Sequence, residues 1–101
     1  MLNFAYHRPD SLSAAIDAAR VEGADILAGG TTMIDLMKIG VREPSALVDI
    51  TGLAALEGLE VGADRIRFGA LARMADVADD AELKAAAPVL TESLWKAASP
   101  Q

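Results

Sequence analysis

Two adjacent glycines followed by two threonines form the segment with the clearest chemical use, Leu27-Ala28-Gly29-Gly30-Thr31-Thr32. A short apolar strand ends there and a helix opens. Without Cβ atoms, Gly29 and Gly30 can take positive φ and let a ligand approach the main chain closely. The first N–H groups of the following helix have no intrahelical acceptor, and with the helix dipole they favour an anion. The hydroxyls of Thr31 and Thr32 add donors. A cradle of this kind, running from Leu27 to Met33, suits the diphosphate of a dinucleotide and needs no lysine or arginine. The same glycines also serve as a plain tight turn from strand to helix, with no ligand involved.

Two other phosphate motifs can be tested by spacing. A Walker loop needs Gly-x4-Gly-Lys-Ser/Thr, and the chain has no Gly-Lys pair. A Rossmann fingerprint needs glycine at its first, third and sixth positions. Counted from Gly29 those positions are Thr31 and Ile34, and from Gly30 they are Thr32 and Asp35, so both counts fail. Asp49 does lie 20 residues after Gly29 at a strand end, where a ribose-binding acid would sit, which keeps a NAD-binding Rossmann fragment as a competitor. Asp49 also fits as a cap of the loop into Thr51-Gly52.

The composition narrows the field of ligands. The 101 residues carry a net charge of −6, with 52% hydrophobic and 24% charged residues, a globular balance. With no basic stripe, no nucleic-acid partner is expected, and an anionic membrane surface is disfavoured on the same grounds. Any anionic ligand is therefore held by local backbone dipoles against an unfavourable overall field. The absence of cysteine excludes disulfides, zinc–thiolate sites and cysteine-ligated clusters within this chain. No secretory layout opens the sequence and no run of about 18 apolar residues occurs, so a cytoplasmic location is expected.

The elements that position the glycine turn follow from periodicity. Asn3 to Tyr6 reads as a strand. Ser11 caps a helix whose Leu12, Ala15, Ile16 and Ala19 share a face, and Gly23 is its expected stop. Ile26-Leu27-Ala28 is a second strand, Thr32 to Ile39 a second helix ended by Gly40, and Ala46 to Ile50 a third strand. This alternation predicts a small parallel βαβαβ sheet. Leu59 and Val61, a Gly62-Ala63-Asp64 loop, then Ile66 and Phe68 predict an antiparallel hairpin. Helices follow from Arg73, broken at Asp79-Asp80 and restarted at Pro88, the last with an apolar stripe of Val89, Leu90, Leu94, Trp95 and Ala98. The fold class is thus α/β with mixed sheets. Residues 1–52 form a βαβαβ subdomain with the diphosphate loop, and residues 53–101 a second, incomplete subdomain.

Taken in order, these segments resemble a known family. Phe4-Ala5-Tyr6-His7-Arg8-Pro9 with Ser11-Leu12 is similar to the opening of the FAD-binding medium subunit of molybdenum hydroxylases, the xanthine dehydrogenase and carbon monoxide dehydrogenase family. Leu27-Ala28-Gly29-Gly30-Thr31 is similar to its first flavin-diphosphate loop. Leu36-Met37-Lys38, Pro44, Leu47-Val48-Asp49-Ile50, Ile66-Arg67-Phe68-Gly69-Ala70 and Ala98-Ser99-Pro100-Gln101 follow in the same order. The resemblance implies the N-terminal portion of a vanillyl-alcohol-oxidase (PCMH)-type FAD-binding domain. It implies FAD as cofactor, electron transfer from iron–sulfur centres through FAD to an acceptor such as NAD, and a complex with a molybdopterin-binding large subunit and an iron–sulfur small subunit. Position 32 departs mildly, being Thr where the family often has Asp or Asn. A second glycine-rich flavin loop follows this region in the family, so the chain is expected to be a fragment carrying half of the cofactor site. Gly30→Val is expected to abolish flavin retention with little loss of fold.

The remaining polar residues are read more plainly. His7 is an exposed residue before the Arg8-Pro9 turn rather than a cofactor contact, and Lys38 a surface residue matching a helix dipole. Asp79, Asp80 and Glu82 are a solvated helix start rather than a metal site. Trp95 packs in a core or interface rather than on a flavin. No nucleophile or acid–base set is evident, so no catalytic residue in the proton-transfer sense is expected; a flavin carries redox chemistry itself. A non-catalytic fragment docking through its last helix is the reading from another class.

Overall fold

The computed structural model describes residues 3–97, which fall into two compact units dividing between Ala54 and Ala55. The first contains β1 (Ala5–His7), α1 (Leu12–Ala19), β2 (Ala24–Leu27), α2 (Thr31–Lys38) and β3 (Ala46–Asp49). All three strands are parallel, in the order β1-β3-β2. The last strand in sequence is thus the central one. Every residue of β3 is buried, as its unbroken Ala-Leu-Val run requires of a strand paired on both edges, and Leu47 and Val48 are among the most deeply buried side chains.

Pairing with β3 explains where the strands differ from expectation. β1 starts two residues late because its ladder begins where the Ala5 amide donates to the Ser45 carbonyl at 2.9 Å. β2 starts early, with Ala24 opposite Ala46, and ends at Leu27, whose carbonyl accepts from Ile50 at 3.0 Å. Ala28 therefore belongs to the turn and not to the strand. Ser11 caps α1 as expected, its hydroxyl accepting from the Ala14 amide at 3.1 Å. Gly23 is not the helix stop: α1 closes on Arg20 in right-handed geometry. The positive φ of Gly23 instead shapes the turn into β2, and its carbonyl accepts from Ser45 at 2.9 Å.

A 3₁₀ turn at Ala54–Leu56 precedes the second unit's hairpin of β4 (Leu59–Val61) and β5 (Ile66–Phe68), closed by a 2.8 Å bond from the Gly62 amide to the Arg65 carbonyl. Three helices follow: α3 (Met74–Asp79), α4 (Ala81–Ala86) and α5 (Pro88–Ala97). The expected break at Asp79-Asp80 is there. Asp80 ends α3 and caps α4, its Oδ1 accepting from the Leu83 amide at 2.9 Å, and the Leu83 side chain is fully buried.

The stripe expected on α5 is buried only in part, with Leu90 and Leu94 half-buried. Thr91 is its buried residue, while Val89 and Trp95 are 75% and 60% exposed, so Trp95 does not pack in a core. Burial of Thr91 is possible because its hydroxyl donates to the Pro88 carbonyl at 3.0 Å. Ala98 of the stripe, like the closing Ser99-Pro100-Gln101, lies outside the described residues. Among the described residues no helix is long and apolar enough to cross a membrane.

Candidate functional site

The parallel sheet sends the carboxyl ends of β1, β2 and β3 to one edge, where Arg8, the glycine turn and the Asp49-Ile50-Thr51 segment emerge. Loops at this edge are where open α/β sheets receive ligands. The turn from Ala28 to Gly30 leads directly into α2, with Gly30 as its N-cap at φ +87° and no side chain capping it. The Gly30 carbonyl accepts from Ile34 at 2.9 Å, which starts the helical ladder. Among the described residues, the amides of Gly29, Gly30, Thr31, Thr32 and Met33 have no acceptor. These are the groups an anion at a helix start engages.

A shallow, open depression of about 610 Å³ lies against the turn, lined by Leu27, Ala28, Gly29, Gly30, Thr31, Ile34, Asp35 and Asp49. Five of the seven cradle residues singled out from sequence, Leu27 to Thr31, are therefore together, and Asp49 is with them. The side chains of Thr32 and Met33 are not among them. Successive helical residues rotate by about 100°, so Thr31 shares its face with Ile34 and Asp35, not with its two nearest neighbours. Thr32 and Met33 can serve such a site only through their amides. Ile34 and Asp35 were missed by sequence reasoning, and counting i+3 and i+4 from Thr31 would have found them.

The two glycines are not equivalent. A Cβ on Gly29 would meet nothing within 4 Å, so the space in front of it is open. At Gly30 the left-handed φ disfavours any side chain, and a Cβ would lie 3.4 Å from Leu27 Cδ1. Valine at position 30 is consequently not neutral to the fold, contrary to the sequence expectation.

Asp49 closes the depression on the β3 side and is almost fully buried. Its Oδ1 accepts from the Thr51 amide at 2.9 Å and from the Thr51 hydroxyl at 2.6 Å, and its Oδ2 accepts from the Tyr6 hydroxyl. The capping role read from sequence is thus present, with an unforeseen partner on β1. Hydrogen bonds from the Thr51 hydroxyl and then Tyr6 hold the Asp49 carboxyl below its ordinary range, against the opposing effect of burial. The same bond to Asp49 raises the Tyr6 phenol.

The sign of the pH dependence follows. Asp49 binds protons more readily unfolded, so its stabilisation is present above the ordinary carboxylate range and is lost as pH falls through the depressed folded value. Tyr6→Phe removes one of the two leading causes of the depression. Acid unfolding followed by circular dichroism should therefore begin at higher pH in the variant, and an unmoved acid limb would show that the Tyr6–Asp49 bond does not persist in solution. Of the other residues weighed, His7 and Lys38 are exposed, as read from sequence.

A parallel sheet with an amide-rich turn at its carboxyl edge, followed by an antiparallel hairpin and helices, is a mixed α/β arrangement. Comparison with known proteins identifies the family: residues 2–101 match the FAD binding domain in molybdopterin dehydrogenase, and the chain belongs to that family. FAD, the cofactor the resemblance implied, is the one this family binds. The chain is 40% identical to the aldehyde oxidoreductase FAD-binding subunit PaoB of Escherichia coli K12, over 100% of this chain and 32% of that protein. It is 30% identical to the carbon monoxide dehydrogenase medium chain of Hydrogenophaga pseudoflava, over 97% of this chain and 35% of the relative. Among solved structures, a chain of the Cu,Mo-CO dehydrogenase in its cyanide-inactivated form superposes with a TM-score of 0.88 at 30% identity, over 100% of this chain and 37% of that one. The chain spans about a third of the length of the curated relatives it matches.

Proposed function

We propose that the glycine turn holds the diphosphate of FAD through the main-chain amides of Gly29, Gly30, Thr31, Thr32 and Met33, within the segment Leu27 to Met33. The observation that carries this is the set of amides without an acceptor beside open space at Gly29. Residues 1–52 then form the subdomain with the diphosphate loop, and residues 53–101 the start of a second FAD subdomain. FAD, when bound, supplies the redox chemistry, taking electrons from iron–sulfur centres and passing them to an acceptor. The chain's own residues bind and orient it; Thr31 adds a hydroxyl, and Ile34 gives the depression an apolar wall.

On this reading the chain is the N-terminal part of an electron-transfer subunit in a cytoplasmic molybdenum hydroxylase-type oxidoreductase. Its partners are a molybdopterin-binding large subunit and an iron–sulfur small subunit. The test is titration of the full-length protein with FAD and, separately, with NADH. Quenching of flavin fluorescence on addition of FAD is expected. A response to NADH alone would favour the Rossmann reading. The exposure of Val89 and Trp95 favours a second reading, docking through α5, and a protein silent to both nucleotides would support it.

A further inference from the structure

The depression confronts an anionic ligand with a conflict of charge. Two carboxylates, Asp35 and Asp49, line it, and no lysine or arginine is among the lining residues. Asp35 is exposed and solvated, but Asp49 is buried. Nor is Asp49 dispensable to the local fold, since its oxygens join Tyr6 of β1 to Thr51 beyond β3. Its donors hold it ionised, so a diphosphate on the turn faces a like charge.

Just outside the depression, Arg8 follows β1. Its Nε lies 4.0 Å from Asp49 Oδ2 and its Nη2 3.5 Å from Thr51 Oγ1. The guanidinium lies against Gly52, where a Cβ would come within 3.4 Å of Arg8 Cζ, so the glycine leaves the arginine room to lie down on the loop. Resting on the reading of the glycine turn given above, we propose that Arg8 is a positioning residue for the cofactor diphosphate that acts through Asp49. It offsets the one buried carboxylate that the fold places beside the amide cradle. Asp49 can then remain as the structural link between strand ends without repelling the ligand. Because the Arg8 side chain is 57% exposed, the effect is screened by salt and moderate in size.

The experiment is FAD affinity of the full-length protein, read by flavin fluorescence at low and high salt. Arg8→Gln should weaken FAD about three- to fivefold at low salt, within the range of exposed charge pairs. The loss should shrink at high salt, and Arg8→Lys should recover most of it. In an Asp49→Asn background, Arg8→Gln should add little. Equal losses in both backgrounds would show that Arg8 acts on the ligand or the fold directly, and overturn the proposal. So would no loss at low salt. If Asp49→Asn does not fold, the salt series decides, and a loss undiminished by salt rejects the idea. Failure of the underlying reading is seen separately: Gly29→Val then leaves FAD affinity unchanged. Failure of the Arg8 proposal alone leaves Gly29→Val damaging and Arg8→Gln silent.

Discussion

Gly29→Val should leave the full-length protein folded and strip it of FAD. The position has no left-handed φ, and an added Cβ has nothing within 4 Å, so the fold loses little and the melting temperature should stay within a few degrees. The side chain instead adds bulk to the depression that the turn lines. A hydrogen bond from an amide to a charged oxygen contributes about 1.5–3 kcal/mol, and loss of two weakens binding by roughly a hundredfold or more. After gel filtration the wild type should be yellow and the variant colourless. If the variant keeps FAD at wild-type affinity, the diphosphate is not at the turn. Gly30→Val is the poorer probe. Its φ of +87° adds backbone strain of about 1–3 kcal/mol to any effect on the ligand.

Gly69→Ala should be the most damaging small substitution in the second unit. A Cβ there would overlap the main-chain carbonyl of Leu56, which cannot rotate away as a side chain could. The segment is strapped on both sides. The Gly69 amide donates to the Gly58 carbonyl at 3.0 Å, and the Leu71 amide to the Leu56 carbonyl at 2.9 Å. Relief of the overlap breaks one of these bonds or displaces the hairpin. A cost of about 3 kcal/mol or more is expected, a large share of a small domain's stability. Urea unfolding should show a lower midpoint at unchanged slope, with Gly29→Ala as a control that leaves it in place. An unshifted midpoint would mean that the two main-chain segments have room to part.

How much of this was legible beforehand depended on whether the signal was local. Ser11, Gly30 and Asp80 act within three or four residues of themselves, and the elements they begin were readable from spacing. β3 was readable as an unbroken apolar run. Its central place was not, because nothing in β1 or β2 says which neighbour each will take. That one non-local fact moved the limits of both outer strands and put Ala28 in the turn. It also brought Tyr6 to Asp49, 43 positions apart, a pairing no periodicity encodes. At the candidate site the glycines were legible and their companions Ile34 and Asp35 were not, because the site was read as a linear stretch rather than as one side of a helix. On α5, counting apolar residues overlooked Thr91, whose hydroxyl is satisfied within its own turn.

The strand order has a consequence for how this region is made. The first two strands never touch each other, and both wait for the third. As the chain leaves the ribosome, everything before Ala46 can form helices but no sheet. Four residues then complete the ladder on both flanks at once. Synonymous codon changes that slow translation after the first two strands have left the exit tunnel, but before the third has, would prolong the exposure of two unmatched strands, and raise losses to aggregation without altering a single amino acid.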